Sequence, residues 1–330
     1  MGTDSPPPES WWDGVSDLTF ASEFGEGVQV APDPSSPFCF ADITGRDAVT
    51  GYDWVDSVET GAPFGEVRFY FEGGSDEQRS VALVSDPDDA SNTVLLTRIE
   101  EPNVRVGQDC ATAPTNDPCA SAEDHKARIQ MVLRENRGLR RFEYQVRVRL
   151  GAGFRALHEA SLDPDQGPLD WHWLTIGEFW NNLAREEDPF RITLGVHPHA
   201  NEGLRLVLKA DEREPNAEGE LAWEELWGGE QVADFEVPIE EWFTLHVALE
   251  EGDERTGRAT VSLVMPTGER RVLIDVNDIT HDPDTPPGEL DGFKDVNPVK
   301  LYTAGQLVCG LRGEGLPLEI WWDDLAFGGR

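Results

Sequence analysis

The strongest constraint on this chain is a two-residue alternation of apolar and polar side chains, carried by short runs that Gly, Pro, Asn and Asp clusters interrupt. Successive side chains on a strand point to opposite faces, so such runs suit half-buried strands of antiparallel sheets. The pattern predicts strands over Glu66–Glu72, Ser80–Val84, Val94–Ile99, Lys126–Leu133, Arg141–Leu150, Trp171–Phe179, Arg191–Val196, Leu204–Lys209, Trp242–Leu249, Ala259–Val264, Arg271–Val276, Lys300–Tyr302 and Leu318–Trp322. Only RALHEAS, around Arg155, and the stretch Leu221–Trp227 have the composition of short helices. No repeat of roughly 20 to 50 residues is visible, which argues against a propeller or solenoid. The expected fold is all-β: one antiparallel two-sheet sandwich over residues 16–330 with few short helices, behind a disordered Pro/Ser-rich tether of residues 1–15.

Charge narrows the partners. The chain carries 27 Lys plus Arg against 64 Asp plus Glu, a formal net charge of −37. Such a surface repels nucleic-acid backbones and anionic membrane faces. With 38% hydrophobic residues it still has the material for a large core, so acidity does not mean disorder. Its cations are 23 Arg and only four Lys (Lys126, Lys209, Lys294 and Lys300). Few Lys and many carboxylates fit a halophilic protein hydrated in concentrated salt, and equally an Arg-rich codon bias.

Four Cys are present. Cys110 and Cys119 bracket CATAPTNDPC, whose composition suits a small disulfide-closed loop in an oxidising compartment. Cys39, inside FCF, and Cys309, inside LVCGL, read as buried strand residues, either free or joined in a second bridge. No apolar run of about 18 residues predicts a transmembrane helix. The opening MGTDSPPPES resembles the tether that follows an export signal or a lipidated Cys, so a secreted, periplasmic or cell-surface location is expected.

Alternation also assigns faces. In Arg141–Leu150, Phe142, Tyr144, Val146, Val148 and Leu150 share one side, and Arg141, Glu143, Gln145, Arg147 and Arg149 the other. In KARIQMVL, Ala127, Ile129, Met131 and Leu133 oppose Lys126, Arg128 and Gln130. Arg191 and Thr193 oppose Ile192 and Leu194, and Arg205 and Lys209 oppose Leu204, Leu206 and Leu208. Cations thus recur on one face of four strands in an acidic protein. One explanation is pairing with surplus surface carboxylates; the other is an anionic ligand.

The densest segment is WHWLTIGEFWNN, in which Leu174, Ile176, Glu178 and Trp180 are expected to share a face, with Asn181 and Asn182 following. An acid, an indole and two amides are groups that bind sugars: the aromatic ring stacks on pyranose C–H surfaces while the polar groups satisfy hydroxyls. The other reading is a buried Trp-rich strand with an Asn turn. His197-Pro198-His199 has a chelating spacing but lacks a third ligand nearby.

The order KARIQ, RFEYQVRVRL, WLTIGEFWNN, PFRITLGV, VPIEEWFTLHVALEEGD, VKLYT and LEIWWDDLAF resembles the concanavalin-A-like jelly rolls of bacterial polysaccharide lyases and related glucanases, over about Ser16 to Phe327. The resemblance implies a jelly-roll sandwich with a glycan groove lined by Arg128, Gln130, Arg147, Glu178, Trp180, Arg191, Lys300 and Tyr302. It implies that Trp242 is packing, and that Asp323 or Asp324 holds a structural calcium ion, the sole cofactor expected. The Glu-x-Asp-x-x-Glu motif of a retaining glucanase is absent, and Glu240-Glu241 has the wrong spacing.

A lyase instead removes the proton α to a uronate carboxyl group. That chemistry needs a neutraliser, for which Arg128, Gln130 and Arg147 are candidates, and a base, for which Tyr302, His172 and His197 are candidates. Arg149, Lys209 and Lys300 join Glu178, Trp180, Asn181, Asn182 and Arg191 as candidate substrate contacts. The expected function is β-elimination on an acidic polysaccharide by a monomer. A noncatalytic carbohydrate-binding protein and a surface adhesion protein are the alternatives.

Overall fold

A computed structural model describes residues 11–12, 14–59, 63–107, 110, 117–162, 173–181, 190–199, 202–215, 221–265, 267–286, 290 and 292–330. The strands are β1 (Leu18–Ser22), β2 (Val28–Pro32), β3 (Phe40–Gly45), β4 (Glu66–Tyr70), β5 (Arg79–Ser85), β6 (Thr93–Ile99), β7 (Val104–Arg105), β8 (His125–Arg134), β9 (Arg141–Leu150), β10 (Leu174–Asn181), β11 (Phe190–His199), β12 (Gly203–Pro215), β13 (Leu221–Glu230), β14 (Trp242–Glu250), β15 (Arg258–Val264), β16 (Arg270–Val276), β17 (Phe293–Asn297), β18 (Lys300–Ala304) and β19 (Leu318–Gly329). Short helices α1 (Asp56–Glu59), α2 (Ala152–Leu162) and α3 (Gly305–Gly313) and a 3-10 turn at Pro118–Asp124 complete the described elements.

The strands form two antiparallel sheets. The smaller runs β16-β15-β14-β9-β19-β6-β5, with β1 beside β19. The larger runs β13-β12-β11-β10-β17-β8-β4-β3-β2; β18 follows β17 in the slot between β10 and β8, and β7 pairs with β8. This is the expected jelly-roll sandwich. The inward faces meet in one core, where Phe142 and Tyr144 of β9 each stand 6.0 Å from Phe179 of β10. Each such fully buried side chain contributes roughly 1.5–3 kcal/mol by leaving water.

Two bulges break the period-two pattern. In β10 the register slips between Thr175 and Gly177, inserting Ile176 as an extra residue. Leu174 and Ile176 therefore stay in the core while Glu178 and Trp180 turn outward, which corrects the expectation that all four share a face. In β13 a slip opposite Ala210 and Asp211 inserts Leu226, so Trp223 and Glu225 face out whereas Trp227 is buried. The stretch expected to be helical is thus a bulged strand, paired along β12.

The cysteines also differ from expectation. Cys39 lies in a turn before β3 and Cys309 in α3, neither in a strand. The bridges are Cys39–Cys110, with Cα atoms 5.3 Å apart, and Cys119–Cys309, at 5.6 Å. The loop composition between Cys110 and Cys119 favours a local bridge, but the fold brings a distant partner to each. The tether expected over residues 1–15 lies mostly outside the described residues. Trp11, Trp12 and Val15 pack with Ala21 and Ala326, and the Gln145 amide donates to the Trp11 carbonyl at 2.6 Å.

Candidate functional site

The outer face of the larger sheet carries a continuous network of charges and rings. Its centre is Glu178 of β10, which is 1% exposed. One carboxylate oxygen accepts from Arg191 Nη1 at 3.2 Å. The other accepts from Trp180 Nε1 at 3.0 Å and from Lys300 Nζ, whose side chain is fully buried. Register explains the cluster: Trp180 opposes Arg191 on one side, while β17 and β18 occupy the other.

Electrostatics here are strong because water is excluded. Burial alone would raise the Glu178 carboxyl, but Lys300, Arg191 and Arg128 more than offset it and hold it down to about 2. Burial lowers Lys300 to about 8, against the pull of Glu178. Asp295, bonded to the Asn297 amide at 2.9 Å, is pushed up to about 7 by burial and then by the charge of Glu178.

Beside Lys300 stands Tyr302. The Arg128 guanidinium lies 4.0 Å from its ring centroid, Lys300 Nζ 4.9 Å and Lys126 Nζ 5.8 Å, and Trp173 meets it edge-on at 4.7 Å. Arg128 also pairs with Glu72 at 2.9 Å. Burial would lower its guanidinium, yet Tyr302, Glu72 and Glu178 hold it above the ordinary arginine value. Gln130, next along β8 on the same face, is buried with its Oε1 unpartnered among the described residues.

Across the face from Tyr302, Thr175 pairs with it in register and Gly195 follows on β11. These two small residues form a floor. A Cβ on Gly195 would come within 2.7 Å of His197 Nε2, so the missing side chain is what lets the imidazole lie over that floor. Burial, with Lys209 adding to it, lowers His197 to about 4, which leaves the ring neutral at neutral pH. Lys209 is tied to Asp211 at 3.0 Å, and Asp211 also accepts from Arg191 at 3.3 Å. At the far edge, Arg191 lies 3.7 Å from the centroid of Trp223.

Arg128, Gln130, Glu178, Trp180, Arg191, His197, Lys209, Lys300 and Tyr302 therefore share one face. Arg147 and Arg149 do not. Both lie on β9, in the other sheet, where Arg147 pairs with Asp323 at 3.0 Å and covers the Trp242 ring at 4.3 Å, and Arg149 pairs with Asp88 at 3.4 Å. Asn181 is buried and donates to Glu251 Oε1 at 2.7 Å, apart from the Glu178 cluster. His172 and Asn182 lie outside the described residues. Sequence reasoning missed Trp223, Thr175 and Gly195: the bulge in β13 disguised the first, and the other two matter only through what stands beside them.

The smaller sheet has its own cleft, about 980 Å³, walled by Trp11, Arg147, Trp242, Arg270 and Asp324. Its cations are tied to Asp323 and Glu143, and no Tyr lines it among the described residues. Among the described residues no group of three or more His, Cys, Asp or Glu is arranged to hold a metal ion, and Asp323 pairs with Arg147 at 3.0 Å. Burial and then the charge of Asp323 push Asp324 up to about 7. An acid whose folded value lies above its unfolded one loses stability as pH rises from about 4 through that value. Asp324→Asn is therefore expected to raise the melting temperature at pH 8 by about 2–6 °C, by roughly 40% as much at pH 5, and hardly at all at pH 3, in a thermal scan. Asn tolerates the positive φ of 49° found there.

No protein-family model and no curated protein matches the chain significantly. Solved structures that resemble it include the alginate lyase Aly36B in complex with alginate trisaccharide, at 10% identity over 79% of this chain and 88% of the other, with a TM-score of 0.42. The marine PL-14 alginate lyase from Aplysia kurodai is 7% identical over 84% and 94%, with a TM-score of 0.46. The endo-β-1,4-glucuronan lyase from the fungus Trichoderma reesei is 13% identical over 79% and 94%, with a TM-score of 0.41. At such identities none of them assigns a role to a residue of this chain.

Proposed function

We propose that the outer face of the larger sheet binds a uronate-containing polysaccharide and cleaves it by β-elimination. The observation that carries this reading is that Tyr302 and His197 stand two strands apart across Thr175 and Gly195, with Arg128, Lys300 and Gln130 beside Tyr302; the strip between them is the proposed sugar slot. Two strand spacings, roughly 10 Å between backbones, separate the residues that wall it. Arg128, with five N–H donors of which Glu72 takes a subset, and the Gln130 amide hold the uronate carboxylate. His197, neutral, takes the proton α to that carboxylate. The electron pair shifts toward the carboxylate as the bond from the neighbouring carbon to the glycosidic oxygen breaks, a carbon–carbon double bond forms, and the Tyr302 O–H protonates the leaving oxygen. Export of the protein belongs to the same proposal, supported by two disulfides that suit an oxidising compartment.

The test is incubation with alginate, glucuronan, ulvan and glycosaminoglycans while the ultraviolet absorbance of the unsaturated product is followed. A rise on at least one polymer is expected; flat traces with measurable binding favour a noncatalytic binder. One observation favours that second reading: Glu178, Glu72 and Asp211 already neutralise the principal cations of the face.

The pH profile discriminates further. His197 becomes protonated as pH falls through about 4 and can no longer accept a proton, while Lys300 loses its charge as pH rises through about 8. The rate at low substrate is expected to be bell-shaped between those limits. A flat profile across pH 4 to 8 limbs would remove both residues from the reaction.

A further inference from the structure

We propose that Trp223 is a distal sugar-stacking subsite of the same groove, making the protein select polyuronate chains long enough to reach it from Tyr302. The inference rests on the polysaccharide reading above and adds a chain-length requirement to it.

Trp223 is 41% exposed, whereas Trp180 is half-buried with its indole N–H committed to Glu178. The Arg191 guanidinium covers one face of Trp223 at 3.7 Å, and the Trp180 ring meets it at 5.9 Å and 64°. Arg191 is itself held by Glu178 and Asp211. The indole is therefore fixed on one side and open to solvent on the other, a flat apolar surface that loses little freedom when a pyranose stacks on it.

Its position relative to the slot sets the length. Contacts run without a break from Tyr302 to Lys300, Glu178, Arg191 and Trp223. Tyr302 on β18 and Trp223 on β13 are separated by β10, β11 and β12, four interstrand steps of about 4.8 Å, which is a path of roughly three to four sugar rings. Among the described residues β13 ends the order of the larger sheet, so no further described strand meets a chain that continues past Trp223. That geometry suits attack within a polymer.

The test compares the protein with Trp223→Ala and Trp223→Phe on oligoglucuronates and oligomannuronates of graded length, from dimer to octamer, by calorimetric binding. For the unaltered protein, affinity is expected to step up roughly 3- to 10-fold once the chain passes about four units, the contribution of one stacked ring. The step disappears in Trp223→Ala and returns in Trp223→Phe, and thermal melting reports whether each variant folds. A step that survives Trp223→Ala overturns this assignment and leaves the polysaccharide reading in place. Absence of binding to every oligomer by the unaltered protein overturns both.

Discussion

Replacing Tyr302 by Phe is expected to lower the elimination rate by about 10²- to 10⁴-fold, the usual contribution of a positioned proton donor or acceptor. The substitution isolates the hydroxyl. The ring that packs against Trp173 and beneath Arg128, Lys126 and Lys300 is retained, so folding and the cation cluster should persist. Loss should therefore fall on kcat with little change in KM. His197→Asn supplies the complementary result: a lower rate and no acid limb near pH 4, because the group responsible for that limb is gone. If Tyr302→Phe retains activity within about threefold, the phenol is not the proton donor and the slot needs another assignment.

Glu178→Ala should be among the most destabilising single changes in the protein. It leaves Lys300, with no exposed surface, and Arg191 without their shared counter-charge. Breaking a buried pair by removing one partner costs about 3–5 kcal/mol, here a fall in melting temperature of roughly 4–7 °C. Adding Lys300→Met should recover much of the loss, because the double change removes both buried charges together. A single-variant loss below about 1 kcal/mol would show that Glu178 is dispensable for the fold. The same carboxylate, held down to about 2, contributes stability that is present above its unfolded value near 4.5 and lost as pH falls toward 2. On the proposed function, Glu178 therefore serves as a strut beneath the sugar-binding face, and its neighbours make the sugar contacts.

Particular strands show how much was legible. In β9, Phe142 through Leu150 and Arg141 through Arg149 separate into inner and outer sides as alternation predicts. The same is true of β8 and β11. Yet Arg128 on β8 and Arg147 on β9 belong to opposite sheets, so four cationic strands do not make one cationic face. Alternation distinguishes in from out, but it carries no information about which of two sheets a strand joins. The bulges at Ile176 and Leu226 each shift parity by one residue, which is why Leu174 parts from Glu178 and why Trp223 escaped notice.

The acidic composition, the two-layer β architecture and the inward or outward sense of most side chains were determined by the sequence alone, because they depend on local spacing and on what each residue gains by leaving water. Tertiary structure alone decided the pairings Cys39–Cys110 and Cys119–Cys309, the sheet that each strand joined, and the meeting of Glu178, Arg191 and Lys300. Those features bring together residues distant in the chain, and their energies come from burial and charge compensation that exist only once the two sheets have closed.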